Sequence, residues 1–378
     1  MSKKAWIGVA VLLVITIVFI ITQLEHWRSE PGILRIGVIL PLSGPGAAYG
    51  RNAQTGIELA LDELKHTIGG NRVRVIYEDS KGNPNTAVSA FYKLVDSDNV
   101  GIIVGPYASS TLLAVAPLAN RRHIVLLSPT ASAPEITDAG EYVFRNVASD
   151  AFEARAIARF AFNELKYRRI AILYVNNDFG EGHRRSFTDV FEQLGGDIVA
   201  SSGYLETTTT FRTQLLEIEK EDPQAVYLIG GKEMAQVLRQ ATELALNLHF
   251  LSFSMFEDPD IVEAAGSAAE GVYYSLQTFD PYSKQEPMHS FATKYKNKYG
   301  IVPDPFASLS YDAIRILDAT ATKLGVEPDK IKQGLYEIRD FPGVTGRTTF
   351  NEKGDVVKPI SIKRYANGKF EWIYRYEN

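Results

Sequence analysis

LRIGVILPLSGPGAAYGRNAQTGIELALDELK, residues 34–65, holds one complete strand-loop-helix unit. Its opening run, LRIGVIL, is apolar and β-branched, the composition of a strand buried on both faces. Glycine, proline and serine then interrupt the pattern. From Gly50 onward Ile57, Leu59, Ala60, Leu61 and Leu64 recur at helical spacing. The same alternation continues downstream. RVRVIYE at 72–78 alternates like a strand, NPNT at 83–86 is a helix start, and 87–95 carries the helix. GIIVG at 101–105 is a short strand, 109–120 a helix and 124–127 a further strand. This β-α-β-α order predicts a mostly parallel sheet with helices on both faces. The pattern restarts with a helix at 151–164. Strands at 169–175, 197–204, 225–229 and 250–253 follow, separated by helices at 181–194, 211–219 and 233–244. Helices at 286–299 and 311–323 and a polar hairpin pattern at 350–354 and 364–372 complete the chain. The fold class is therefore α/β, with two lobes and a cleft between them. Ligands of such sheets sit beyond the carboxyl ends of the strands.

Upstream, Lys3 and Lys4 precede AWIGVAVLLVITIVFIITQL at 5–24, a run without a charge. At about 1.5 Å per residue it spans roughly 30 Å, the thickness of a bilayer core. The lysines belong on the cytoplasmic side. The run exceeds the about 7–15 apolar residues of a cleavable signal, and no A-x-A-like site follows it. The expectation is an uncleaved signal-anchor helix over 1–24 and a linker over 25–32. The working part then lies at the periplasmic or extracellular face of the cytoplasmic membrane.

Net charge is −5, which argues against a nucleic-acid partner. The absence of cysteine excludes disulfides, thiolate zinc sites, thiol catalysis and a lipid-modified N-terminal cysteine. The histidines (His26, His66, His123, His183, His249, His289) show no metal-ligand spacing. There is no G-x-S-x-G elbow and no P-loop. His183, at a helix start, reads as a solvated surface residue. GPGAAYG at 44–50 sits where a dinucleotide turn would, but its G-x-G-x-x-x-G spacing is one residue too long. Pro45 removes an N–H that a phosphate would use. The nearest strand-end acids, Glu78 and Asp79, lie farther on than the usual ~20 residues. The segment reads as a strand-to-helix loop that lines a cleft through Tyr49. No catalytic residue, metal or cofactor is expected.

Two loops carry more information. Gly105-Pro-Tyr107-Ala-Ser109-Ser110-Thr111 and Ser128-Pro-Thr130-Ala131-Ser132-Ala-Pro134 follow successive strands on the same sheet edge. Hydroxyls and N–H groups at a helix start can hold an anion without any cation. Simple N-capping would explain one such loop. Two in succession point to a carboxylate site that includes Tyr107.

The chain resembles the type I periplasmic binding proteins of the leucine/isoleucine/valine class. The resemblance runs in order through IGVILPLSGPGAAYG (36–50), YEDSKGNPNTA (77–87), GPYASSTLLAVAP (105–117), LSPTASAPEIT (127–137), FRNVASD (144–150), NNDFGEG (176–182), AEGVYY (269–274) and SYDAI (310–314). It implies two Rossmann-like lobes joined by three crossing strands near 143–147, 274–279 and 345–350. The lobes would be 33–147 with 279–344, and 148–278 with 345–378. It further implies closure around a small ligand and recognition by an ABC permease in the membrane. The family's carboxylate-holding positions match Ser109, Thr130, Ala131 and Ser132, and its cleft aromatic matches Tyr49. Phe179 stands where the family usually has a tyrosine, so a hydroxyl is lost. The loop Gly230-Gly231-Lys232 lacks the aromatic the family often places there. The family's partner for an α-ammonium is out of register, with Ser254 nearest its place, and Glu257 substitutes only if its loop is remodelled. The expected ligand is an amino acid, branched-chain-like, or a related small carboxylate. One without an amino group, such as an aromatic or keto acid, suits Phe179 and the displaced acid. A sensory module acting through a partner receptor is the competing reading, and a dinucleotide-dependent enzyme the third.

Overall fold

The apolar run that opens the first unit becomes strand Ile33–Leu40 (β1), with Ile36, Val38, Ile39 and Leu40 all fully buried. A strand buried on both faces needs neighbours on both edges and helices above and below, and the computed structural model supplies them. It describes residues 33–44, 46–277 and 280–376. After β1 come helix Ala47–Glu63 (α1), strands Thr67–Ile68 (β2) and Asn71–Asp79 (β3), and helix Pro84–Tyr92 (α2). Strand Ile102–Val104 (β4), helix Ser109–Arg122 (α3) and strands Val125–Ser128 (β5) and Val143–Arg145 (β6) follow. They form a sheet of order β2-β3-β1-β4-β5-β6, parallel except for β2.

The second series is helix Asp150–Asn163 (α4), strand Arg169–Val175 (β7), helix Asp178–Gln193 (α5), strand Asp197–Tyr204 (β8) and helix Arg212–Lys220 (α6). Strand Ala225–Ile229 (β9), helix Met234–Glu243 (α7), strand Phe250–Ser252 (β10), helix Pro259–Ala265 (α8) and strand Tyr273–Gln277 (β11) extend it. Helices Met288–Tyr299 (α9), Pro305–Leu324 (α10) and Pro328–Glu337 (α11) then return to the first sheet, where Ile314, Leu317 and Ile331 join Ile36 and Val38 in one core. A small hairpin, Phe341–Gly343 (β12) with Gly346–Thr348 (β13), precedes Ile360–Ala366 (β14) and Lys369–Tyr376 (β15). The second sheet has order β15-β14-β11-β10-β9-β7-β8, with β14 and β15 antiparallel. Its core gathers Ile170, Ile172, Phe187, Tyr227 and Leu238.

Three differences from the sequence reading have local causes. Helix α10 begins at Pro305, well before residue 311, because the Asp304 carboxylate accepts the Ala307 N–H at 2.8 Å and caps it. The C-terminal hairpin pairs β14 with β15, whereas Phe350 makes only a bridge to Val356. Phe350 and Val356 are fully buried in the first-lobe core beside Phe144, and the Arg145 N–H bonds Gly354 O at 3.1 Å. The chain therefore joins the second sheet at Ile360 and not at 345, because burying those two side chains keeps the intervening segment on the first lobe.

One side chain ties the connecting segments together. Gln277 Oε1 accepts the Ala148 N–H at 3.0 Å, and its Nε2 donates to Thr345 O at 3.3 Å. Beside it, Lys358 is buried and donates to Thr345 Oγ1 at 2.6 Å. Burial pulls this lysine down to about 8, against the opposing charge of Asp312. The apolar run at 5–24, read as a membrane anchor, lies outside the described residues. Among the described residues no helix is long and apolar enough to cross a membrane.

Candidate functional site

Strand β4 ends at Gly105, whose φ of +111° and close approach to Ile39 O exclude a side chain. The chain there turns into the first hydroxyl loop. The second loop leaves β5 immediately alongside. Their hydroxyls are largely spent on each other. Ser128 Oγ donates to Pro106 O at 2.7 Å and accepts the Ala131 N–H at 3.0 Å, and Thr130 Oγ1 donates to Tyr107 O at 2.8 Å. Ser109 Oγ accepts the N–H groups of Ser132 and Ala133 at 3.2 and 3.1 Å. Ser109 thus welds the loops together and keeps only its own proton to offer. The Ser132 hydroxyl has no partner among the described residues. The start of α3 has no side-chain cap, so its N–H groups and partial positive charge face the same place.

The second loop is held from behind by Arg145, which is fully buried on β6. Its Nη1 donates to Ser132 O at 2.9 Å and Ala133 O at 2.8 Å, and its Nε donates to Asp355 Oδ1 at 2.6 Å. Thr137 closes the network, accepting from Arg145 Nη2 at 2.7 Å and donating to Asp355 Oδ2 at 2.8 Å.

Tyr49, Tyr107 and Phe306 form an aromatic wall on the first lobe, with ring centroids 5.1–6.5 Å apart. The second lobe meets it: Lys232 Nζ lies 5.9 Å from the Tyr49 ring centre. Burial, and then the charge of Asp258, push the Tyr49 phenol above its ordinary range, so it stays a neutral donor. The lobes also touch where Arg185 on α5 pairs with Glu135. Near them, a Cβ on Gly182 would lie 2.5 Å from Pro134 Cδ.

Across the cleft, the first turn of α4 presents Asp150 and Glu153. Acids at a helix start are favoured by its dipole. The Asp150 N–H bonds Ser132 O at 2.8 Å, so this acid sits directly against the hydroxyl loop. Glu153 accepts the Gln277 N–H at 3.1 Å and the Ser254 N–H at 3.3 Å. Burial raises it to about 7, eased by His183 and reinforced by Asp150. His183 lies between them, its Nδ1 2.9 Å from the Tyr227 hydroxyl and its Nε2 3.0 Å from Asp150 Oδ1.

Residues 33–369 match the periplasmic binding protein family. The chain belongs to that family. It is a type I member of the leucine/isoleucine/valine-binding class, and membership implies a site outside the cytoplasm. The Leu/Ile/Val-binding protein of Escherichia coli (strain K12) is 26% identical over 345 residues, 90% of each chain. A leucine-binding protein from Thermotoga maritima MSB8 superposes with a TM-score of 0.85 at 28% identity, covering 90% of this chain and 98% of that one. A solute-binding protein from Rhodopseudomonas palustris BisB5 in complex with 3,4-dihydroxybenzoic acid shares the fold, with a TM-score of 0.82 at 21% identity over 92% of this chain and 98% of that one.

Within this periplasmic binding protein the candidate residues fall in two groups. Ser109, Thr130, Ala131, Ser132, Tyr107 and Tyr49 gather on the first lobe around the two loops. Phe179 faces them from the second, packed on His183 and Phe253 at 4.9 and 5.2 Å. Glu257 does not join them: its carboxylate is committed to Lys363 Nζ at 2.5 Å, and Lys363 in turn lies over Trp372. His183 is fully buried, contrary to its reading as a surface residue. Its side of α5 faces Phe253, 4.6 Å away, while charged neighbours such as Arg185 take the outer side. Sequence reasoning also missed Phe306, Asp150 and Glu153. A capped α10 start would have exposed the first, and acids in the first turn of α4 the other two.

Proposed function

We propose that this chain is the solute-binding protein of an ABC-type transporter and takes up a small organic carboxylate by lobe closure. The closing bodies are 33–147 with 280–356, and 148–277 with 360–376. The observation that carries the reading is the joint between the loops. Ser109 fixes the backbone of Ser132, which leaves the Ser132 hydroxyl, the Ser109 proton and the α3 N-terminus converging without any cation. Neutral donors of this kind suit a carboxylate, which accepts several short hydrogen bonds at once. The relatives agree in that respect: leucine, the ligand the Thermotoga maritima protein is named for, and 3,4-dihydroxybenzoic acid, bound to the Rhodopseudomonas palustris protein, both carry a carboxylate. The uncharged run at 5–24 supports tethering at the membrane beside a permease.

Calorimetric titration of the full-length chain in detergent with a panel of small carboxylates tests this. Ser132→Ala should weaken the binding carboxylate by about 10-fold or more, the value of a lost charge-assisted hydrogen bond. Unchanged affinity would remove the site from these loops.

A further inference from the structure

Strand β15 ends the second sheet on one side. It pairs with β14, and no strand lies along its other edge among the described residues. Successive side chains of a strand point to opposite faces, yet Glu371, Trp372, Ile373 and Tyr374 are exposed one after another. Both faces are therefore open here, with Trp372, Ile373 and Tyr374 49%, 43% and 44% exposed. Lys363 lies over the indole at 4.2 Å and covers only part of it. An apolar edge of this kind is a template for another strand, and proteins ordinarily blunt it with proline, lysine or short length. β15 has eight residues, no proline, and its one lysine at the first position.

The order of its residues says which strand fits. FEWIYRY at 370–376 reads nearly alike from both ends. An aromatic, a charge and an aromatic flank Ile373 on each side, and the two charges, Glu371 and Arg375, have opposite sign. Laid antiparallel on a second copy, with a two-fold axis at Ile373, Glu371 meets Arg375, Trp372 meets Tyr374, Phe370 meets Tyr376, and Ile373 meets itself. Opposite charges and aromatic pairs are the favourable cross-strand neighbours. Moving the axis to Trp372 sets Lys369 against Arg375, and moving it to Tyr374 sets Glu371 against Glu377, so like charges oppose each other. An axis halfway between residues on either side of Ile373 pairs neither charge with its opposite. The ladder between β14 and β15 shifts register at this point and leaves Ile373 without a partner on β14. Across the axis that extra residue meets its own copy, so the new ladder needs no further shift. We propose that two copies of this chain pair edge to edge through β15, about a two-fold axis at Ile373, and join their second sheets into one. Such an interface is self-complementary and closed. It is independent of the carboxylate site, since β15 supplies none of the cleft residues described above.

The chain has no cysteine, so a single introduced thiol reports on its own position. Ile373→Cys is oxidised with copper phenanthroline in the full-length chain in detergent. Directly opposed residues of an antiparallel pair lie about 4.5–5.5 Å apart at Cα, within reach of a disulfide. A linked dimer should be the main product. Lys369→Cys, which the pairing sets roughly 27 Å from its copy, should stay monomeric. Sedimentation of the wild-type chain should show dimers that grow with concentration. Glu371→Lys and Arg375→Glu should each weaken association about 10-fold, because each turns two cross-strand pairs repulsive. The double variant should return to within about 2-fold of wild type. That recovery separates pairing from a general loss of folding. The proposal is overturned by absence of a linked dimer from Ile373→Cys, by equal linking through Lys369→Cys, or by dimers indifferent to the charge variants. A monomer in which phosphatidylcholine vesicles, and not a second chain, shield the Ile373→Cys thiol from alkylation would assign the strand to a lipid surface and equally overturn it.

Discussion

The two walls of the cleft are finished to different degrees. On the first lobe the loops are tied within the chain: Ser128, Thr130 and Ser109 bond neighbouring backbone, and Arg145 holds the carbonyls of Ser132 and Ala133. On the second lobe His183 Nε2 meets Asp150 Oδ1 at 3.0 Å, Asp150 Oδ2 has no hydrogen-bond partner among the described residues, and Glu153 is buried with its acidity weakened. The first wall is rigid and neutral toward its ligand. The second concentrates buried ionisable groups: Asp150, Glu153 and His183.

That contrast can be broken at several points. The largest effect is expected at Arg145. Arg145→Met leaves the buried Asp355 carboxylate without its cation, and should cost about 3–5 kcal/mol in urea unfolding of the full-length chain. A loss below about 1 kcal/mol would mean that the loop backbone needs no anchor. Next comes Glu153. Its carboxyl is raised from 4.5 to about 7 in the folded chain, so the folded state holds a proton that the unfolded state releases. Its contribution to stability is complete below about pH 4.5, is lost as pH rises to about 7, and stays lost above. The stability difference between wild type and Glu153→Gln, measured without ligand, should shift by on the order of 3 kcal/mol across that window. A flat difference would show that burial does not hold the Glu153 proton in the folded chain.

Smaller effects separate Ser109 from Ser132. Ser109→Ala strands two buried N–H groups and should cost about 1–3 kcal/mol of stability. Ser132→Ala, whose hydroxyl has no partner among the described residues, should stay within about 0.5 kcal/mol while still losing affinity. Equal stability losses would merge the two roles. Last, Gly182→Ala sets a methyl against Pro134 across the cleft. Binding should weaken by about 10-fold, or ~1.4 kcal/mol, with thermal unfolding unchanged. An unaltered affinity would mean that the lobes close without this contact.

The two sheets were legible in the sequence because buried parallel strands are nearly continuous apolar runs, as in β1 and β9. The two loops were legible as well, since the strand before each one fixes where its hydroxyls emerge. Other features depend on contacts that no local pattern encodes. Glu153 meets Ser254 across a large sequence separation. His183 reads as exposed from its place at a helix start, yet helical geometry turns it inward. Phe306 lies in the first turn of α10, ahead of residue 311, and its place on the cleft wall depends on the Asp304 cap. The late crossing at Ile360 escaped for a related reason: Phe350 and Val356 lie in a polar stretch and reveal their core only in space.

The weld that Ser109 makes between the loops has a kinetic meaning. A grip assembled before its cargo arrives asks for no ordering at the encounter, so capture should run at a pace set by diffusion and be nearly indifferent to which acid is offered. Discrimination would then show itself in how long each acid stays, with poor cargo leaving in the instant before the jaws commit.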